Sequence, residues 1–333
     1  TPGGEPGTRF GDRNCGCQPI GISLQRATGI SLEDYAREHL FGPLGIDDFS
    51  WEASGSGDKL GYSGLGMMPL DLARFGYLYL RKGEWGGVQV LPADWVGRST
   101  ATRIQAGTMA DGYGYQWWID GELFMMIGYG GQFVFVRPEL DLVAVFTGTL
   151  DRDRFFTPRA FLTDYIEAAV VQDEALPRNP VATARLDSLT RVLGGQERGG
   201  ESAPLVKPPS ISGRTFEFEA NRLDLRSCTL SFPPGSPEAE LNVVLGPTRS
   251  NLAIGLDGRY RISDLNGRRW ACRGRWESET VFLLEQELIG QVLRRSSRLS
   301  FAGDALSFEV LDRVSGRVEL YEAKLVGLPS PRV

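Results

Sequence analysis

Few residues in this 333-residue chain can act as a base toward a hydroxyl nucleophile: one histidine, His39, and four lysines, Lys59, Lys82, Lys207 and Lys324. A nucleophilic serine needs such a base within hydrogen-bond reach. A Ser-His-Asp triad would have to use His39. The pattern puts that residue at the end of a helix, where a cation is favoured and a structural role suffices. A histidine-built metal site is excluded by count. The other serine chemistry uses Ser-x-x-Lys, with the serine opening a helix and the lysine one turn later, placed to take the hydroxyl proton. One string has that spacing, Ser56-Gly57-Asp58-Lys59. Gly57, Asp58 and the following Gly61 make poor helix, so the match is read as a coincidence inside a loop. Carboxylates are plentiful, but none form an isolated apolar-flanked pair, and a glycosidase-type acid and base are unsupported. Of the cysteines, Cys15 and Cys17 lack a second pair at zinc spacing. Cys228 and Cys272 read as ordinary thiols, able to join only if the protein is exported.

The elements that must hold such residues fall into two regions. The length suggests two domains, and the apolar and charged fractions of 41% and 23% are those of a globular chain. A net charge of −6 without a Lys/Arg run leaves nucleic acid an unsuitable partner. No apolar run approaches the ~20 residues of a membrane helix. The first residue is Thr1, and no signal-peptide pattern follows it. Helical spacing covers Ile20–Thr28, stopped by Gly29, and then Leu32–Leu40, with Ser31 as its N-cap and Asp34 three residues on. Pro43 and Gly45 end that helix. Leu70–Arg81 forms the next, with Leu72, Phe75, Leu78 and Tyr79 on one face. Tyr113–Asp120 and Leu123–Ile127 read as strands. Phe133–Val136 and Leu142–Thr147 read as a hairpin in a buried sheet, and Phe161–Val171 as a helix closing over it.

Residues 173–210 are rich in Gly, Pro and charge and read as a linker, with Val181–Leu193 helical. From Ile211 the chain becomes a series of short strands: Arg214–Glu219, Thr229–Phe232, Glu240–Leu245, Arg268–Trp276, Thr280–Glu285, Arg298–Phe301 and Leu306–Leu311. That rhythm predicts an antiparallel sandwich or barrel over 211–328. The strings LDGRY and FAGDALSF look like hairpin turns.

Several blocks resemble one known family. The stretches PGTRFGDRNCGCQPIGISLQRATGISLEDYAREHLFGPLGIDD, GLGMMPLDLARFGYLYLRKGEWGGVQVLPADWV, and GYGYQWW followed by GYGGQFVFVRPELDLVAVFTG are similar to the second half of the class C β-lactamase and penicillin-binding-protein-like serine hydrolases. The resemblance runs from Pro6 to about Gly148. It implies an α+β fold: the carboxyl-terminal part of a β-lactamase/transpeptidase-like domain over 1–172, an antiparallel sheet with helices, followed by an all-β barrel. The barrel over Ile211–Val326 is similar, through GLDGRYR and RGRW, to the domain appended to some penicillin-recognising hydrolases, where it borders the active site or mediates assembly. Arg259, Arg261 and Trp276 would serve such a role, or simply form barrel surface and core. A lipocalin-like barrel with a small apolar ligand is a further reading, and needs an interior lined with small side chains.

The resemblance also implies the site. The family's Ser-x-x-Lys lies well upstream of its Tyr-x-Asn motif and would precede Thr1. The Tyr-x-Asn position reads Asp12-Arg13-Asn14, with Asp12 in place of the tyrosine. A carboxylate has a shorter reach, and its pKa near ~4 makes it a weak base toward a serine hydroxyl. The third motif, Lys-Thr-Gly or a His-Gly-Gly variant on an edge strand, reads Tyr129-Gly130-Gly131, followed by Gln132; the alternative is a plain Gly-rich strand start with Tyr129 half buried. Glycines there let backbone approach a substrate, and the Gln132 N–H becomes a candidate oxyanion donor. The implied chemistry is acyl transfer on a β-lactam, ester or D-amino-acid peptide, with a small-molecule or peptide substrate and no cofactor. The expected catalytic residues are Asp12 and Asn14, and the expected substrate-binding residues Tyr129, Gly130, Gly131 and Gln132. Without a nucleophile the chain itself is expected to be inactive. The competing expectation is a non-catalytic binding or scaffolding relative, which Asp12 favours. The resemblance is compatible with a periplasmic or extracellular place; the sequence fixes neither compartment nor oligomeric state.

Overall fold

The structure is a computed structural model that describes residues 5, 7–11, 14–107, 109–172, 174, 176–193, 211–265 and 267–325. It divides into two compact units. The first spans Thr1–Gly148 and Phe155–Val171, the second Thr149–Arg154 and Gln172–Val333.

Helix α1, Asn14–Thr28, opens the first unit. It starts six residues before the periodic segment and carries Pro19 inside it. Gly29 ends it at φ 76°, a left-handed conformation that glycine adopts without a Cβ penalty. Helix α2, Leu32–Ala36, is capped as its sequence predicts: Ser31 Oγ accepts from the Asp34 N–H at 3.0 Å and donates to the Asp34 carboxylate at 2.6 Å. The expected continuation to Leu40 instead widens into a π turn over Arg37–Phe41. Two short hairpins, β1 Phe49–Trp51 with β2 Leu65–Met67 and β3 Glu84–Trp85 with β4 Val88–Gln89, flank helix α3, Pro69–Leu80. Helix α4 covers Ala93–Ser99.

Six antiparallel strands follow as a sheet in sequence order: β5 Ile104–Gln105, β6 Gly112–Tyr113, β7 Trp118–Asp120, β8 Leu123–Gly128, β9 Gln132–Arg137 and β10 Leu142–Phe146. The single strand expected over Tyr113–Asp120 is two, because the chain turns at Gln116, φ 68°. Alternation along β9 and β10 sends Val134, Val136, Val143 and Val145 to one face, where α3 packs through Leu72, Phe75 and Tyr79. Phe133, Phe135, Ala144 and Phe146 point to the other face. There α5, Thr157–Phe161, and the turns after it lay Leu162 and Ile166 on the sheet. Gly76 lets α3 approach closely: a Cβ there would lie 2.8 Å from Val143 Cγ1 and 3.0 Å from Val134 Cγ1.

The second unit contains helix α6, Pro180–Leu193, and ten strands. These are β11 Thr215–Phe218, β12 Leu225–Ser231, β13 Glu238–Leu245, β14 Thr248–Gly255, β15 Arg261–Leu265, β16 Arg268–Trp276, β17 Val281–Leu288, β18 Arg294–Ala302, β19 Ala305–Asp312 and β20 Val318–Leu325. Nine close into a barrel, in which β20 pairs with β11 and β14 meets β16 in parallel at Gly255 and Arg273. β15 pairs with β16 outside the ring. Hence LDGRY is no hairpin: it carries the chain from β14 across to β15, which are not ladder partners. FAGDALSF is one, with Ala302 opposite Ala305 across Gly303 and Asp304.

Large side chains cluster in the barrel core. Phe216, Phe282, Leu284, Leu299 and Ile254 are fully buried, with Trp276 against Phe282 at 5.1 Å and Phe301 at 6.0 Å. A lipocalin-like cavity would need small side chains there, and these are large. Cys228 and Cys272 lie in this core as free thiols, not as a disulfide. The Ser297 hydroxyl is buried with no hydrogen-bond partner among the described residues.

Candidate functional site

Tyr129, Gly130 and Gly131 form the three-residue turn between β8 and β9, closed by Gly128 opposite Gln132; both strands are interior to the six-stranded sheet, not at its edge as expected, because β10 pairs with β9. Both glycines are left-handed, at φ 76° and 98°, so the turn could not be built from ordinary residues without strain. The Gly131 N–H points back to the Gly128 carbonyl at 3.4 Å. Tyr129 is 61% exposed at the tip.

Gln132 does more than supply backbone. Its side-chain Nε2 donates to the Gly148 carbonyl, and its Oε1 accepts from the Gly148 N–H at 3.3 Å. The amide thus mimics a peptide group and ties the start of β9 to the chain leaving β10. The sequence marked Gln132 only for its backbone; no local signal announces a partner 16 residues away.

Asp12 lies outside the described residues. Asn14 opens α1, and its side chain is likewise outside them. The surroundings are clear. Phe10 packs on Tyr113 and Trp118 at 5.2 and 5.3 Å. Cys17, one turn into α1, accepts from Gln116 Nε2 at 2.9 Å. Successive hairpin turns alternate between the ends of a meander, so the Gln116 turn and the Gly130–Gly131 turn share one end of the sheet. The start of α1 therefore sits at the end of the sheet that carries Tyr129–Gln132. Phe10 and Gln116 are the anchors sequence reasoning overlooked; both act through contacts distant in the chain.

The Ser56-x-x-Lys59 string is a turn, bridged at Ala53 and Lys59. The Ser56 hydroxyl donates to Asp58 at 2.9 Å. Lys59 Nζ donates to the Trp51 carbonyl at 2.8 Å and pairs with Glu33 at 2.7 Å. That hydrogen bond holds the Glu33 carboxyl below its usual range. The amine and the hydroxyl serve separate partners, so this is no nucleophile and base. His39 rests on Tyr35 at 4.4 Å, 3.9 Å from Glu38. Among the described residues no three His, Cys, Asp or Glu side chains gather as a metal site.

Residues 1–164 match the family model described as Beta-lactamase. This part of the chain is a beta-lactamase-family domain. No curated protein matches the chain. Among solved structures, it is similar to a protein assigned as a 6-aminohexanoate-dimer hydrolase from Bacillus anthracis, at 22% identity and a TM-score of 0.40, over 58% of this chain and 46% of that one. A protein assigned as a beta-lactamase from Bacteroides dorei gives 19% and 0.41, over 50% and 60%. The octameric penicillin-binding protein homologue from Pyrococcus abyssi gives 13% and 0.35, over 96% and 66%. The matches to the first two span only about half the length of those chains. No helix among the described residues is long and apolar enough to cross a membrane.

Proposed function

We propose that this beta-lactamase-family domain belongs to a serine hydrolase that transfers acyl groups from a β-lactam, an ester or a D-amino-acid peptide. The family match over residues 1–164 carries the reading. The turn geometry supports it. Two Cβ-free residues at Gly130 and Gly131 leave backbone open to a substrate carbonyl, and the Gln132 N–H is the proposed oxyanion donor. Asn14, at the same end of the sheet, is the proposed polar partner near the nucleophile, with Asp12 beside it in the chain.

On this reading the nucleophile is not Ser56: the one Ser-x-x-Lys string of residues 1–333 engages other partners. These residues alone are therefore expected to turn over neither nitrocefin nor a p-nitrophenyl ester, and a fluorophosphonate serine probe should leave them unlabelled. Labelling at Ser56 with turnover would sink the assignment. The second reading, a non-catalytic binding relative, draws on Asp12 in place of the tyrosine. The coding sequence upstream of Thr1 separates the two: an in-frame Ser-x-x-Lys favours the enzyme, a start codon at that point the binding module.

A further inference from the structure

Two arginines lie on a pair of exposed rings where helix α4 meets the sheet. Trp95 on α4 and Tyr115 in the turn between β6 and β7 stack 5.4 Å apart, with 7° between their planes. Both remain exposed. The backbone sets the pairing. The Tyr115 N–H donates to the Ser99 carbonyl at 2.9 Å. A Cβ at Gly114 would collide with that same oxygen, so glycine is what lets the turn close on α4. Arg98 lies over Trp95 at 5.9 Å, and Arg103 over Tyr115 at 5.4 Å.

Arg37 and Arg81 of the same unit also cover rings, and each holds a carboxylate as well, Glu33 and Asp141. Arg98 and Arg103 hold none among the described residues. Asp94 stands four residues before Arg98 without pairing with it. Arg103 donates to the Arg98 carbonyl at 3.3 and 3.0 Å, which leaves most of its fork unused, and Arg98 keeps all of its own. A helix end favours a cation, but that does not account for two guanidinium groups laid on rings with their donors unanswered. Stacking has already ordered them, so an anion that reaches them costs little further ordering.

The Tyr115 turn shares its end of the sheet with the Tyr129–Gln132 turn. The two turns are two strand spacings apart, and β8 runs on past the Trp118–Met125 pair to Gly128. Their separation is on the order of 10–15 Å, the reach of about three to four extended residues. A compact β-lactam or a small ester is too short to span it, and a peptide is not. We infer that Trp95, Arg98, Arg103 and Tyr115 form a subsite for a carboxylate on an extended peptide substrate, about three to four residues from the carbonyl held at the Tyr129–Gln132 turn. The inference rests on the acyl-transfer reading and narrows its substrate classes to the peptide.

The probes are acetyl-D-Glu-D-Ala-D-Ala-D-Ala-amide and acetyl-D-Ala-D-Ala-D-Ala-D-Glu-amide, which carry the carboxylate at either end, each with its D-Gln counterpart. Binding to the full chain is read by tryptophan fluorescence and calorimetry. One D-Glu peptide should bind about tenfold or more tighter than its D-Gln counterpart, and salt should weaken that preference. Arg98→Gln combined with Arg103→Gln should abolish the preference and leave D-Gln binding unchanged, while Arg98→Lys alone should keep part of it. A merely structural stack would lower Tm in the double variant and have no preference to lose. Equal affinity of the D-Glu and D-Gln peptides, binding by none of the four, or a preference that survives the double substitution would overturn the inference. No turnover is read, so the subsite is tested apart from acyl transfer, on which the serine probe reports.

Discussion

At the scale of single residues, Gln132 and the two glycines before it decide whether the candidate site keeps its form. Gln132→Ala removes both hydrogen bonds to Gly148 and should cost about 1–2 kcal/mol. Gly131→Ala places a Cβ on a residue at φ 98° and should cost about 1–3 kcal/mol. Urea unfolding reads both; an unchanged midpoint for either would remove the turn's claim to a special geometry. Ser297 runs the other way. Its hydroxyl is desolvated without a partner, so Ser297→Ala should leave stability equal or raise it by about 1 kcal/mol. The sequence marked Gly130 and Gly131 for backbone approach to a substrate; that both are left-handed turn residues is set by the β8–β9 pairing, which that reading did not specify. The Gln132 clamp was not legible, because its partner is set by where β10 ends.

At the scale of elements, close approach and charge set the tolerances. Gly76→Ala pushes a methyl into Val143 and Val134 and should cost about 1–3 kcal/mol by levering α3 off the sheet. In the barrel, Asp151 accepts from Arg313 Nε at 3.1 Å and from its NH2 nitrogen, with Arg294 3.8 Å away. Asp151→Asn should destabilise the second unit by about 1–3 kcal/mol. The barrel also has a pH signature. Burial pushes the Cys228 and Cys272 thiols from 9.0 up to about 12. Burial, then Glu287, raises the Tyr260 phenol, and burial, then the hydrogen bond to Glu319, raises Tyr321, both from 10.0 to about 12. The folded barrel keeps protons that the unfolded chain would release. The stability these four groups contribute is therefore full below pH 9.0, where the first of them titrates in the unfolded chain, and is lost as pH rises from there through about 12. Urea midpoints at about pH 8 and about pH 11 check the sign, and both thiols should resist a disulfide reagent until the barrel unfolds.

At the scale of the whole molecule, the apolar side chains around β10 govern behaviour in solution. Leu70 and Tyr77 on one side and Phe161 and Tyr165 on the other are exposed, and an open apolar edge invites association. Association that grows with concentration is expected, relieved by Leu70→Asp. Light scattering measures it; a sample monodisperse at every attainable concentration would contradict it.

The sequence by itself determined the elements whose signals are local. The Ser31 cap, the Gly29 stop, helix α3, the β9–β10 pair and the Gly303–Asp304 turn all lie where spacing and turn chemistry put them. It also determined the family, since several blocks of residues carry it together, and the irrelevance of Ser56, since glycines cannot open the helix its motif needs. Only the tertiary structure decided what depends on distant partners. It split Tyr113–Asp120 at Gln116, gathered rings and leucines in the barrel core, left Cys228 and Cys272 as free thiols, and ran β14 past β15 to meet β16. The reason is common to all four: a strand's partner and the volume it must fill are properties of closure, and closure joins residues that share no local pattern.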